Sequence, residues 1–169
     1  MKGWVICGIL LGNIIIQSSL FPFIQIYGVQ PDSLAVLVVS FALLAGNPTS
    51  AVVGFFGGLL QDILYGQSIG ICALQYMLAG YIIGLVYGKV FADKMIVCMF
   101  FVALTVLLRD VLVFIQMFFA GLDVSMYNIF FTVILPEIVY TVAVTPLIYY
   151  LMRRLYKYRF MNRRWHFGS

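Results

Sequence analysis

Charge is what this sequence has least of. Charged residues make up 9% of the 169, with six acids, ten bases and one histidine, where a soluble domain carries roughly a quarter. No polar stretch is long enough to fold by itself, so a separate soluble domain is excluded. The histidine, His166, sits near the C-terminus with no serine or cysteine motif to pair with it, and no catalytic nucleophile is indicated. Cys7, Cys72 and Cys98 are odd in number, far apart and inside apolar runs. Without a CxxC or Cys/His spacing they support neither zinc nor a disulfide framework, and they read as small buried hydrophobes. A P-loop and a GxGxxG turn after a strand are also missing. The chain is expected to be non-enzymatic and to need no cofactor or metal. The N-terminus lacks an A-x-A-like cleavage site (Asn13 to Leu20 reads NIIIQSSL), so it reads as an uncleaved first span rather than a signal peptide.

What is present is apolar: 64% hydrophobic residues, 17% aromatics and a mean hydropathy of +1.08. Such a chain belongs in a bilayer. The pattern predicts an all-α membrane domain over residues 1–152, with six helices at about 3–20, 31–46, 50–65, 69–88, 95–120 and 126–152. The second and third, at ~1.5 Å per residue, would be only ~24 Å long, tolerable if they are packed within a bundle. A strong break, Gly46-Asn47-Pro48-Thr49-Ser50, separates them. A re-entrant hairpin over 31–65 is the alternative.

Residues 153–169 form a basic tail with Arg153, Arg154, Lys157, Arg159, Arg163 and Arg164 interleaved with aromatics. Anionic lipid is the expected partner of this tail, and nucleic acid is not. If both termini are cytoplasmic, Lys2, Lys89, Lys94 and the tail all fall on the inner side, as the positive-inside rule asks. Trp4, Tyr27, Tyr65, Tyr87, Tyr127, Tyr149 and Tyr150 lie near helix ends and suggest an interfacial aromatic belt. The loops on the outer side are short and poor in polar groups, which predicts no selective polar pocket.

Glycines mark the close contacts. Gly54, Gly57 and Gly58 flatten one face of the third helix and are expected to pack internally. Gly8 and Gly12 form a GxxxG in the first helix, and Gly80, Gly84 and Gly88 a double one in the fourth. These serve either bundle packing or the docking of a partner. Four ionisable residues are predicted at depth: Asp62, Arg109, Asp110 and Glu137. Their helical positions put Asp62, Arg109 and Glu137 at a similar level. The simplest pairing joins Arg109 to Asp62 or Glu137, sparing each the isolation of a charge in lipid. A proton or ion relay is the functional alternative. Pro136, beside Glu137, is expected to kink the last helix, as is Pro146.

The region from Pro31 to Gly84 resembles the MreD family, small membrane proteins of the bacterial rod-shape system. The likeness is carried by Pro31 with LAVLVVSFALLAG, by GFFGGLLQDILYGQSIGICAL with Gly54, Phe55, Gly58, Leu59, Asp62, Gly66 and Gly70, and by Gly80-Tyr81. The resemblance implies a bundle similar to the substrate-binding subunits of energy-coupling-factor transporters. It also implies work in the cytoplasmic membrane beside an MreC-like bitopic protein, the actin-like MreB filament, the glycosyltransferase RodA and a class B penicillin-binding transpeptidase. A vitamin-binding transporter subunit is the alternative it leaves open.

Overall fold

A computed structural model describes residues 2–19, 23, 29–65, 70–87, 95–119, 121 and 130–156. Six α-helices run through them: α1 (Lys2–Ser19), α2 (Ser33–Ala45), α3 (Thr49–Tyr65), α4 (Ile71–Gly84), α5 (Met95–Phe119) and α6 (Leu135–Tyr156). The first five have bounds within four residues of the expected helices, whereas α6 begins at Leu135, nine residues after the expected 126. Gly66, Gly88, Lys89, Lys94, Tyr27, Tyr127, Lys157, Arg159, Arg163, Arg164 and His166 lie outside the described residues.

The centre is α2. It is apolar on all sides, and Ser33 to Leu43 are buried without interruption. Every other helix touches it. A helix hydrophobic all round is stable only when enclosed, and enclosure is what lets α2 be short. Its 13 residues rise ~20 Å, less than a hydrocarbon core, but neighbours rather than lipid cover it. Gly46 ends the helix at φ +70°, donating its N–H to Phe41 and Ala42.

Around it, α5 and α6 present the opposite character. Ile96, Phe100, Leu108, Phe118 and Phe119 on α5 and Leu147 and Leu151 on α6 stand more than half exposed, while Cys98, Val102, Val106 and Met152 face the core. The segments Met95–Phe119 and Phe131–Leu155 are long and apolar enough to cross a membrane, whereas the other apolar helices are shorter. The last helical run opens with a π-helical turn, Phe130–Ile134, and Pro136 sits in the first turn of α6. Proline has no N–H to return to the preceding turn, and the wider π turn accommodates that lack. Pro146 lies inside α6.

The tightest contact is between α3 and α4, and it is made of glycine. A Cβ on Gly58 would stand 2.6 Å from the Ala73 Cα, and one on Gly54 would stand 2.6 Å from the Tyr76 carbonyl carbon. From the other side, a Cβ on Gly80 would come within 2.6 Å of the Ser50 carbonyl oxygen. Gly84 in turn faces Asn47 and Ser50. The helices meet backbone to backbone, the arrangement small residues permit. Polar side chains fasten this seam, Ser50 Oγ donating to the Gly80 carbonyl at 2.8 Å and Asn47 Nδ2 to the Tyr81 carbonyl at 2.9 Å. Gly57 faces Leu34 and Leu10 instead, joining α3 to α2 and α1.

Packing thus explains Gly54, Gly57, Gly58, Gly80 and Gly84. It does not explain Gly8 and Gly12, whose hypothetical Cβ atoms would meet nothing within 4 Å. Two smaller expectations are corrected. Tyr149 is buried in the core while Trp4, Tyr65, Tyr87 and Tyr150 are exposed, and Cys7 is exposed rather than buried.

Candidate functional site: a buried arginine shared by three carboxylates

Arg109, midway along α5, is the hub of the polar interior. Its Nη1 donates to Asp32 Oδ2 at 2.6 Å and to the Tyr76 hydroxyl at 3.3 Å. Its Nη2 donates to Asp110 Oδ1 at 2.7 Å and to Glu137 Oε1, and its Nε donates to Asp110 Oδ1 at 3.1 Å. A guanidinium has five N–H groups, and all are engaged. The Tyr76 hydroxyl donates to Asp32 Oδ2 as well. One arginine therefore ties α2, α4, α5 and α6 together, and at its centre Asp32 is 2% exposed.

Each partner is placed by a local rule. Asp32 is the N-cap of α2, its Oδ1 accepting from the Ala35 N–H at 3.0 Å; aspartate is among the best residues for that position. Its own N–H donates to Thr141 Oγ1 at 3.0 Å, pinning the start of α2 to α6. Glu137 lies in the first turn of α6, where the helix dipole favours an anion. Tyr76 needs a partner for its hydroxyl once its ring is buried. The resulting cluster joins one cation to three carboxylates, and Asp110 Oδ2 is buried without a hydrogen-bond partner.

The expected pairing of Arg109 with Glu137 is present, and Asp110 joins it. The pairing with Asp62 is not. Asp62, 1% exposed, caps the N-terminus of α4 from across the α3–α4 seam. It accepts from the backbone N–H groups of Gly70 at 2.9 Å, Cys72 at 3.2 Å and Ala73 at 3.1 Å. The first N–H groups of a helix need an acceptor, and Asp62 supplies it. Gly70 holds φ +102° to make this turn, a conformation costly for other residues. Asp62→Ala should lower stability by ~1–3 kcal/mol, read as a fall in the thermal unfolding midpoint in detergent, with Asp62→Asn falling between it and the native protein.

Two residues of the cluster are absent from the sequence-level expectation. Asp32 reads as a residue of an outer loop, and Tyr76 as one aromatic among many; a tyrosine inside a glycine-spaced apolar helix is the signal that marks it. Arg153 and Arg154, from the expected basic tail, extend the last turn of α6 and are exposed, where cations suit the helix C-terminus.

Two hollows flank this framework. A cavity of about 310 Å³ adjoins the cluster, walled by Gln17, Gln30, Asp32, Gln61, Arg109 and Glu137. The short outer loops predict no such polar pocket; its walls come from helices together with Val29, Gln30 and Pro31, which lead into α2. The second hollow is a groove of about 750 Å³ between α1 and α3, lined by Ile6, Cys7, Leu10, Val52, Phe56 and Leu60 among others, almost wholly apolar.

An apolar helical bundle with a lipid-suited exterior and its deep charges paired internally is an integral membrane protein. The profile of the rod shape-determining protein MreD matches residues 1–159. The chain belongs to the MreD family, and its role lies in the determination of rod shape. No curated protein and no solved structure matches it, so the expected likeness to energy-coupling-factor subunits is not shown.

Proposed function

We propose that the chain is a non-enzymatic scaffold of the bacterial elongation complex. It holds an MreC-like bitopic protein and helps position RodA, a class B penicillin-binding transpeptidase and MreB filaments during peptidoglycan synthesis. In this reading all six helices lie in the cytoplasmic membrane with both termini inside, and the basic tail rests on anionic lipid. The observation that carries it is the apolar groove between α1 and α3. Single transmembrane helices associate through such close apolar packing, since lipid supplies no hydrophobic drive between them. The Arg109 cluster supports it too, because a cation tied to four helices braces the bundle that presents the groove.

The groove assignment is testable without disturbing the core, because Val52 is 50% exposed. Val52→Trp fills the groove from its α3 wall. Recovery of the MreC-like partner with the tagged protein should fall roughly tenfold or more, with membrane abundance unchanged. Unchanged recovery would remove the groove from the proposal.

A further inference from the structure

The cavity beside the cluster has a chemistry the scaffold does not need. We propose that it is a binding site for a small organic cation, a molecule that presents an ammonium group with its own N–H donors. This goes beyond the scaffold reading and does not depend on it.

The argument rests on which hydrogen-bonding capacity is left over. Arg109, the cation at the cavity wall, has every N–H engaged by Asp32, Tyr76, Asp110 and Glu137. It has nothing to offer an anion. At the cavity wall the unmet group is an acceptor, Gln61 Oε1, buried with no partner among the described residues. Gln17 is a separate indication. It is 9% exposed and lines the cavity, where its amide oxygen is a further acceptor. Three carboxylates share one guanidinium, so a positive group brought into the cavity meets an acidic wall that an anion would not favour. A ligand that suits the cavity is therefore cationic and a donor. The volume, about 310 Å³, is at the small end of small-molecule sites. The polar wall converges from α1, the start of α2, α3, α5 and α6, so a ligand seated there would be held from several sides.

The probe is 1,4-diaminobutane, titrated calorimetrically into the full-length protein in lipid nanodiscs. Its hexa-N-methylated analogue keeps both charges and removes every N–H. Saturable binding of 1,4-diaminobutane, weaker by roughly tenfold or more for the methylated analogue, is the expected result. Gln17→Leu with Gln61→Leu should weaken binding by a similar factor. Gln30→Leu, at a half-buried wall position, gives the same test should the double variant fold poorly. The proposal is overturned if 1,4-diaminobutane does not saturate, if sodium chloride at matched ionic strength reproduces the response, or if these folded variants bind as the native protein does.

Discussion

Arg109→Ala should be the most damaging single substitution in the chain, lowering stability by about 3–5 kcal/mol. The loss is large because removal of the guanidinium leaves Asp32, Asp110 and Glu137 facing one another in the interior, with Asp32 and the Tyr76 hydroxyl still in contact. Arg109→Lys should rescue little. A lysine ammonium has three donors at one point and cannot span five contacts arranged as a planar fork. The opposite substitution separates this account from a generic intolerance of core changes. Carboxylates outnumber the cation, and Glu137→Gln keeps an oxygen acceptor for Nη2 while Asp32 and Asp110 still hold the guanidinium. Its effect should be within about 1 kcal/mol of the native protein. Membrane abundance and thermal unfolding in detergent read both variants. A Glu137→Gln as harmful as Arg109→Ala would contradict the shared-arginine arrangement.

Gly58→Val is expected to be nearly as severe, lowering stability by about 3 kcal/mol or more. The new side chain would meet not a pliable neighbour but the Ala73 backbone, 2.6 Å from its Cβ to the Cα and 2.7 Å to the nitrogen. Relief requires α3 and α4 to part. That opens the seam held by Ser50 and Asn47 and draws Asp62 away from the N–H groups it caps. Gly8→Val and Gly12→Val provide the contrast. Neither Cβ has a neighbour within 4 Å, so unfolding midpoints should not move. A loss of partner recovery in either variant would then mark that face of α1 as a second contact. Equal destabilisation by Gly8→Val and Gly58→Val would contradict backbone contact as the cause, because valine has a higher helix propensity than glycine.

The helices were legible because their signals are local. Apolar runs set their spans, Gly46-Asn47-Pro48 separated α2 from α3, and glycine spacing marked the α3–α4 seam. The charge pairing was half legible. Arg109 with Glu137 follows from depth along two long helices, whose ends lipid fixes. Asp32 does not, because it follows Pro31 at the head of an apolar run and resembles the mouth of a loop. A short, packed second helix was expected, but nothing local says that its N-cap reaches Arg109, 77 residues away. Asp62 misled for the complementary reason. Depth placed it beside Arg109, but three backbone N–H groups at the start of α4 lay closer, and helix ends are the least certain feature of a sequence. The polar cavity was hidden because Gln17, Gln30 and Gln61 converge only once the helices are packed.

The most direct test of the scaffold reading is affinity purification of the tagged protein from gently solubilised native membranes, with mass spectrometry of what accompanies it. An MreC-like protein together with wall-synthesis enzymes is the predicted result. A paired ATPase and its membrane coupling subunit would contradict it and make the bundle a transporter's substrate-binding subunit.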